Sequence, residues 1–321
     1  MTAPMLEAVN LSVRFGGLLA VNNVSFEVWP NEVFSLIGPN GAGKTTIFNL
    51  ISSLYRPTSG EVRFEGEVIS RMPPHVVARH GIARTFQNIE LFEHATVLQN
   101  LLVGRHCHRH TGWVQDLLFT GSVRRAELEF RRQVEEVIEF LDLQHYRDSL
   151  VVGLPYGVRK VVELARALSM RPRLLLLDEP SSGLNTEETE DMGFWIEDIK
   201  HDLGITVIMV EHDMGLVSRV SDRVLALNQG EVLTLGTPAE VQSHPGVIEA
   251  YLGGADDDLP PDPLPAGGGA QAHPGGNRSS LPPAPSPREG VTGHPAPPGS
   301  GEGGEGSSNP AASSGRPGGA T

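Results

Sequence analysis

A glycine-rich loop constrains the fold more than any other part of the sequence. Residues 38–45 read GPNGAGKT and match G-x-x-x-x-G-K-[ST] at every fixed position. The apolar residues 33–37 before the loop predict a buried strand, and residues 44–54 after it have helical character. Glycines allow successive backbone N–H groups to face a polyphosphate, and the positive end of the following helix adds to the attraction. The sequence therefore predicts a strand, a phosphate-binding loop and a helix, in that order.

Two side chains at the end of this loop suit a nucleotide and a metal ion. Lys44 supplies a positive charge for the β and γ phosphates, and the hydroxyl of Thr45 can ligate Mg²⁺. The alternative is a glycine-rich turn that matches the pattern by chance. The flanking strand and helix favour the phosphate-binding interpretation, because this context is the one in which the motif acts.

A second apolar strand ends in a pair of acids. Residues 174–177 read LLLL, and Asp178 and Glu179 follow directly. An aspartate beside a phosphate loop can hold Mg²⁺ through water, and Glu179 can orient an attacking water molecule or take its proton. An ordinary acid in the turn before Pro180 is the alternative. Together with the loop, the two acids predict an active site at the end of this strand.

Three further residues are candidates for the nucleotide site, and each has this interpretation only because the phosphate-binding loop is present. His212 follows the apolar strand predicted at residues 205–210 and could reach a γ-phosphate, or it could bond only to backbone. Gln87 follows a strand-like stretch and by itself is an ordinary glutamine. Phe15 could offer a ring on which adenine stacks, or it could belong to the core.

Residues 1–252 predict a mixed α/β fold. Apolar strands alternate with helices, which indicates a parallel sheet. The sequence predicts a hairpin over residues 61–70, an amphipathic helix over residues 122–140, and a capping box with proline at the first helical position in residues 237–240. Residues 253–321 are rich in glycine and proline and contain no aromatic residue, so we predict a disordered tail.

Charge and hydropathy disfavour several classes of protein. The chain has 25 Lys+Arg against 39 Asp+Glu and a formal net charge of -14, which argues against a nucleic-acid partner. No apolar run approaches the roughly 18 residues of a transmembrane helix, and residues 1–10 lack the pattern of a secretory signal. Because Cys107 is the single cysteine, no intrachain disulfide can form, which fits a reducing compartment.

Two other patterns are weaker signals of function. The tract HCHRH at residues 106–110 resembles a metal site, but its arginine would repel a divalent ion, so a solvated loop is the favoured interpretation. Arginine and glutamate alternate along residues 122–140, which is typical of a solvated helix face rather than of a nucleic-acid or lipid patch.

Taken together, the motifs resemble the ATP-binding subunits of ABC transporters. In chain order they correspond to an aromatic loop (Phe15), the Walker A loop (residues 38–45), a Q-loop (Gln87), a signature segment, the Walker B acids (Asp178 and Glu179), a D-loop and an H-loop (His212). The resemblance covers residues 6–252. It is strongest to the ATPases of branched-chain amino acid importers, in particular to the one of their two ATPases that has an atypical signature. The stretches that carry it are RFGGLLAVNNVSFEV, GIARTFQNIELF, TVLQNLLVGRH, SSGLN, VEHDM and YLG.

This resemblance implies a fold and a ligand set. The implied fold is an α/β P-loop NTPase with a RecA-like core, an antiparallel β subdomain and an inserted α-helical subdomain at about residues 88–166. The implied ligands are ATP and Mg²⁺. Adenine would lie against Phe15 and Val21, and the phosphates would be surrounded by Gly38, Pro39, Asn40, Gly41, Ala42, Gly43, Lys44, Thr45 and Thr46. Mg²⁺ would be held by Thr45, Gln87 and Asp178.

The resemblance also implies catalytic roles. Glu179 would act as the base, His212 would contact the γ-phosphate, and Gln87 would lie at the joint between the two lobes of the domain. The implied partners are a second ATPase subunit, two membrane permease subunits and an extracytoplasmic substrate-binding protein. The implied location is peripheral, on the cytoplasmic face of the plasma membrane.

The signature segment departs from the family pattern L-S-G-G-Q. Its five positions hold Leu154, Pro155, Tyr156, Gly157 and Val158. Pro155 has neither a hydroxyl nor a backbone N–H, so two phosphate donors are missing there, and Tyr156 replaces a glycine where close backbone approach is expected. The D-loop ends in Asn185, where many relatives have aspartate.

This departure predicts the type of dimer. In the head-to-tail dimer that the resemblance implies, each ATP lies between the phosphate loop of one chain and the signature of the other. A homodimer of this chain would have two poor signatures. We therefore predict a heterodimer with a second ATPase of L-S-G-G-Q type, with one stronger and one weaker hydrolytic site.

Several alternatives stay open at this point. The amino acid substrate rests on the resemblance only, and urea importers and lipopolysaccharide exporters are related possibilities. A soluble ABC ATPase of translation or DNA repair would be expected to contain two cassettes or a long coiled-coil insert. A regulatory subunit with little hydrolysis is disfavoured by Glu179 and His212, although the atypical signature leaves it open.

Overall fold

The computed structural model describes residues 3–87, 89–105 and 121–252 of the chain. The predicted tail at residues 253–321 and the histidine tract at residues 106–110 lie outside this part. Within it, none of the helices has both the length and the apolar composition that a bilayer crossing requires.

The strands of the described residues form two sheets. They are β1 (Leu6–Phe15), β2 (Leu18–Val28), β3 (Val33–Ile37), β4 (Ser59–Phe64), β5 (Glu67–Val68), β6 (Ile82–Arg84), β7 (Leu174–Asp178), β8 (Thr206–Val210), β9 (Arg223–Asn228) and β10 (Glu231–Gly236). The smaller sheet has the order β2-β1-β4-β5, and its strands pair antiparallel. The larger has the order β10-β9-β3-β8-β7-β6, with β10 antiparallel and the other pairs parallel. The residues that follow β3, β6, β7 and β8 therefore meet at one edge of the larger sheet.

Helices follow several of these strands. They are α1 (Lys44–Ile51), α2 (Pro74–Arg79), α3 (Val97–Gly104), α4 (Gly121–Phe140), α5 (Tyr156–Leu168), α6 (Thr186–His201), α7 (Met214–Val220), α8 (Pro238–Gln242) and α9 (Pro245–Leu252). The helices α3, α4 and α5 come between β6 and β7, which are neighbours in the larger sheet. They form the helical insertion, while its boundaries at residues 88–166 stay a prediction, and α5 continues to Leu168.

The central strands are buried on both faces. In β3, Val33 and Ile37 join a core formed with helices α3 to α7, whereas Phe34 and Leu36 join a core formed with the smaller sheet and α1. Alternate side chains of a strand point to opposite faces, so a strand covered on both sides needs a continuous apolar run. This requirement explains the VFSLI and LLLL runs of the sequence.

The observed elements confirm several of the predicted ones. The strand at residues 33–37, the hairpin of β4 and β5, and the capping box at Thr237 are confirmed. The helix predicted over residues 44–54 is wrong at its end, because α1 ends at Ile51. There the hydroxyl of Ser52 bonds back to the Phe48 carbonyl at 2.7 Å, and Ser53 has a φ of 56°, which no helix continues.

Candidate active site

Two glycines of the phosphate loop occupy positions that exclude a side chain. Gly38 has a φ of 147°, and a Cβ there would overlap the carbonyl oxygen of Leu227 on β9. Gly43 has a φ of 100°, and its Cβ would lie 2.7 Å from the carbonyl oxygen of Ala20 on β2. The loop is therefore pressed against both sheets, and glycine is required by close backbone approach. Of the other predicted loop residues, Asn40, Gly41 and Thr45 are exposed, Pro39 and Thr46 are half-buried, and Ala42 is buried.

The first turn of α1 is open to an anion. Gly43 is the N-cap residue, no side chain caps the turn, and no acidic residue lies in it. The first N–H groups of a helix have no partner inside the helix, and the helix dipole places partial positive charge there. This end of α1 therefore has the donors and the potential that a phosphate group requires.

The Lys44 side chain folds back over the loop. Its ammonium donates to the carbonyl oxygens of Gly38 at 2.6 Å and Pro39 at 3.0 Å. An ammonium has three N–H donors, so one further donor can meet a phosphate oxygen. Burial lowers the pKa of Lys44, and the charges of Glu179 and Asp178 oppose that shift.

Asp178 is buried and paired with an arginine that the sequence analysis missed. Arg84 Nη2 donates to Asp178 Oδ2 at 2.8 Å, and the two side chains are 9% and 3% exposed. The same guanidinium donates from Nη1 to Asn49 on α1 and to Ser52 after it. Arg84 therefore ties the end of β7 to α1 and fixes the Asp178 carboxylate. The stretch ARTFQ contains no local signal for such a contact, because its partners lie far away in the chain.

Glu179 lies at the centre of the predicted catalytic residues. Gln87 Nε2 donates to its Oε2 at 3.0 Å, and His212 Nε2 lies 3.1 Å from its Oε1. Glu179 has a φ of 50°, in the left-handed region, and its N–H bonds to the Val210 carbonyl at 2.9 Å. Non-glycine residues with such backbone angles cluster at functional sites. The fold thus brings together three residues that the sequence predicted separately.

Glu211 is a buried carboxylate that organises the loops around this site. It is 1% exposed. Its Oε1 accepts from the Ser181 N–H at 2.8 Å, and its Oε2 accepts from the N–H groups of His212 at 2.8 Å and Asp213 at 3.2 Å. It therefore joins the segment after Glu179 to the segment that carries His212. The sequence analysis missed it, although an acid between a buried strand and a candidate histidine is a signal that could have been used.

The predicted adenine contacts differ in exposure. Phe15 is 45% exposed and meets the edge of Tyr55, with ring centroids 5.2 Å apart and planes at 70°. Its ring is available for stacking, and Tyr55, which the sequence analysis missed, fixes its orientation. Val21 is fully buried, and its Cγ2 lies 3.5 Å from the position of a Cβ on Gly43. Val21 therefore packs against the phosphate loop at Gly43. Its contact with adenine stays a prediction.

The atypical signature segment packs against the loop after β7. The Tyr156 hydroxyl donates to the Ser182 carbonyl at 3.3 Å, and a Cβ on Gly183 would lie 2.7 Å from the Tyr156 ring. Glycine at position 183 leaves the space that Tyr156 fills. Gly157 lies against α6, where a Cβ would overlap the carboxylate of Glu188. Leu154 is buried, Pro155 is the N-cap residue of α5, and Val158 is half-buried.

Comparison with known proteins identifies the family. Residues 21–182 match the ABC transporter family, and residues 231–257 match the branched-chain amino acid ATP-binding cassette transporter family. The chain belongs to the ABC transporter family. The family predicted from the motifs is therefore confirmed, and ATP hydrolysis that powers transport is the activity of this family's cassettes.

Individual relatives match over nearly the whole cassette. The chain is 44% identical over 255 residues to the high-affinity branched-chain amino acid transport ATP-binding protein BraF of Pseudomonas aeruginosa, covering 79% of this chain and 100% of BraF. It is 42% identical, with the same coverage, to the corresponding protein LivG of Escherichia coli K12. The solved ADP conformation of MJ1267, an ATP-binding cassette of an ABC transporter, has a TM-score of 0.69 at 31% identity and covers 78% of this chain and 100% of that one. This structural match confirms the predicted α/β P-loop NTPase fold.

In this cassette, Glu163 joins the helix after the signature to the Q-loop. Glu163 lies on α5, is 2% exposed, and accepts from the N–H of Phe86, the residue before Gln87, at 3.1 Å. Burial raises the pKa of Glu163, while the Phe86 N–H and the charges of Lys160 and Arg166 oppose that shift. The start of α5 is the signature segment, so this hydrogen bond connects two motifs of the cassette.

We expect the stability of the cassette to depend on this acceptor. Glu163→Leu should lower the free energy of unfolding by about 1–3 kcal/mol, because the half-buried Phe86 N–H loses its partner. Glu163→Gln keeps an acceptor and should lower the free energy of unfolding less.

The contribution of Glu163 to stability should also depend on pH. Since folding raises the pKa of Glu163 above 4.5, this contribution is greatest below that pH and is lost as the pH rises through the folded-state pKa. The deficit of the glutamine variant should therefore shrink toward neutral pH. Urea denaturation at several pH values measures both effects, and equal deficits for the two variants would contradict the role of the acceptor.

The residues predicted to hold Mg²⁺ supply suitable ligand atoms. Thr45 is an exposed residue with a hydroxyl, and Gln87 uses its amide nitrogen toward Glu179, which leaves its amide oxygen. Asp178 uses one carboxylate oxygen toward Arg84 and keeps the other. Hydroxyl, amide and carboxylate oxygens are hard donors of the type that Mg²⁺ prefers, so this donor set fits the ion.

Proposed function

We propose that the chain is the ATP-hydrolysing subunit of an importer of branched-chain amino acids. The match of residues 231–257 to the branched-chain amino acid cassette family carries this proposal, because it lies outside residues 21–182, which match the general family. The similarity to BraF and LivG extends over the full length of both proteins and supports the same substrate class. Urea import and lipopolysaccharide export are the alternatives that an uptake experiment must separate.

In the proposed reaction, the phosphate loop holds ATP and Glu179 activates water. The loop N–H groups and Lys44 would bind the β and γ phosphates, and Phe15 would stack on adenine. Water would attack the γ-phosphorus while Glu179 takes its proton, and the bond from that phosphorus to the bridging oxygen would break to release ADP and phosphate. The contacts of Gln87 and His212 with the two oxygens of Glu179 support this assignment, since they orient the base.

Thr45, Gln87 and Asp178 would hold Mg²⁺ at this site. When bound, the ion neutralises negative charge on the β- and γ-phosphate oxygens. The buried ion pair with Arg84 supports this role of Asp178, because it fixes the carboxylate before nucleotide binds.

We also propose the partners that transport requires. They are two membrane permease subunits, on which the cassette would dock at the cytoplasmic face of the membrane, an extracytoplasmic substrate-binding protein, and a second ATPase subunit. The second ATPase is proposed because Pro155 lacks the hydroxyl and the N–H that a signature presents to the nucleotide of the partner chain.

The purified chain alone should therefore hydrolyse ATP slowly. Adding a second cassette with an L-S-G-G-Q signature should raise the rate by roughly tenfold or more, since missing donors at a phosphoryl-transfer site have effects of at least this size. Pro155→Ser should raise the rate of the chain alone. Pro73→Ser is the matched control. Pro73 is also a helix N-cap residue, but it caps α2, which lies outside the signature segment. Robust, cooperative hydrolysis by the unaltered chain alone would contradict the heterodimer.

Uptake by cells tests the proposed substrate. Deleting the gene in its native host should abolish uptake of labelled leucine, isoleucine and valine, and should leave uptake of labelled lysine unchanged. The unaltered gene should restore uptake, and the Glu179→Gln variant should not. Normal uptake of the three branched-chain amino acids after deletion, with loss of urea uptake or of lipopolysaccharide export, would contradict the proposal.

A further inference from the structure

Helix α9 contacts the phosphate loop through one tyrosine. The N–H of Gly38 donates to the hydroxyl oxygen of Tyr251 at 2.9 Å, across 213 residues of sequence. Gly38 is the first glycine of the Walker A loop, and Tyr251 is the penultimate residue of α9. Tyr251 also lies in residues 231–257, the segment that matches the branched-chain family rather than the general one.

Gly38 is buried against the backbone of β9. Its own backbone lies so close to Leu227 that a Cβ would overlap the carbonyl oxygen there. A buried backbone N–H needs an acceptor, and the Tyr251 hydroxyl provides it. The carbonyl oxygen of the same glycine accepts from Lys44 Nζ at 2.6 Å. Gly38 is therefore held at its N–H by Tyr251 and at its carbonyl by the lysine predicted to bind phosphate.

The body of the cassette holds α9 in place for this contact. Val247, one turn before Tyr251, is 4% exposed and belongs to the core that contains the helices, against which Leu233 of β10 also packs. Tyr251 is 37% exposed as a whole, but partial burial at the contact with Gly38 raises its pKa, and the Gly38 N–H opposes that shift. The hydroxyl is therefore neutral at physiological pH.

We propose that Tyr251 is a positioning residue, which fixes the start of the phosphate loop in the conformation that binds nucleotide. The proposal rests on the function proposed above, and it gives the branched-chain segment a role at the nucleotide site. A loop whose N–H groups are already oriented loses less conformational freedom when the phosphates bind, so it binds them more tightly. Without the hydroxyl, the Gly38 N–H is unpaired, and the segment that leads to Lys44 becomes more mobile.

Removing only the hydroxyl tests this role. In isothermal titration of the full chain with magnesium ADP, Tyr251→Phe should weaken binding by about fivefold, the effect of losing one neutral hydrogen bond. In ATP hydrolysis with the second ATPase subunit present, the KM for ATP should rise and kcat should stay within about twofold, because Tyr251 does not touch Glu179 or His212.

Tyr146→Phe is the matched control. It removes a hydroxyl in the helical insertion and should leave the Kd for magnesium ADP unchanged. A merely structural role would lower Tm or the active fraction and would leave this Kd as it is.

Hydrogen exchange supplies a second measurement on the same variants. Backbone N–H groups in the peptide that spans residues 33–43 should exchange faster in Tyr251→Phe than in the unaltered chain, and Tyr146→Phe should show no change there. If the unaltered chain bound no magnesium nucleotide, both the proposed function and this inference would be refuted. If the unaltered chain bound nucleotide and Tyr251→Phe matched it in Kd and in exchange, only the role of Tyr251 would be refuted.

Discussion

Glu179→Gln should reduce kcat for ATP hydrolysis by at least about a hundredfold and leave nucleotide affinity close to that of the unaltered chain. Glutamine has the same shape and can still accept from one of the two donors, Gln87 and His212, that contact Glu179. It cannot take a proton from water at neutral pH, so the base is lost while the loop that binds phosphate is untouched. The variant should therefore hold ATP and accumulate as a closed dimer with its partner cassette.

The measurement combines turnover with binding. Single-turnover hydrolysis of radiolabelled ATP gives the chemical rate, and isothermal titration with magnesium ADP gives the affinity. Glu139→Gln is the matched control, because Glu139 is an exposed acid on α4, far along the chain from the loop. Hydrolysis by Glu179→Gln at the parent rate would show that another group is the base.

Lys44→Met should weaken magnesium ATP binding by about a hundredfold or more. The change removes a buried ammonium that would meet the β and γ phosphates, and losing one partner of a buried charged pair costs about 2–5 kcal/mol. It also removes the hydrogen bonds to Gly38 and Pro39 that hold the side chain over the loop. Methionine keeps a similar length and volume, so the fold of α1 should persist.

The chain contains a useful control for this substitution. Lys200 on α6 pairs with Asp222 at 2.7 Å. Lys200→Met should lower the thermal midpoint slightly and leave the Kd for magnesium ATP near that of the unaltered chain. Equal affinities for Lys44→Met and the unaltered chain, with far-ultraviolet circular dichroism unchanged, would show that Lys44 does not contact the nucleotide.

Much of the active site could be predicted from the sequence, because its motifs are short and contiguous in the chain. The glycines at positions 38 and 43 have positive φ angles, which the loop pattern records directly, although the backbone groups that exclude a Cβ there lie on β9 and β2. The acids Asp178 and Glu179 follow a continuous apolar run, which indicates a strand buried on both faces. The end of α1 was harder to predict, because Ser53 turns into the left-handed region and ends the helix three residues early.

The residues that support the site could not be predicted in this way. Arg84 and Glu163 are ordinary polar residues in the sequence, and their partners lie on elements that the fold brings beside them. A buried carboxylate or guanidinium is stable only where donors or acceptors from other parts of the chain surround it. No local sequence pattern shows which residues will supply those partners.

The order of motifs along the chain was thus enough to predict the phosphate loop, the acids at the end of β7 and the family, because spacing within a loop and apolar runs within a strand are local properties. Only the assembled fold determined that Gln87 and His212 meet at Glu179, and that Tyr251 of α9 supports Gly38. Those contacts depend on which strands are neighbours in the sheet and on where the last helix packs. Both are set by burial of apolar surface across the whole cassette.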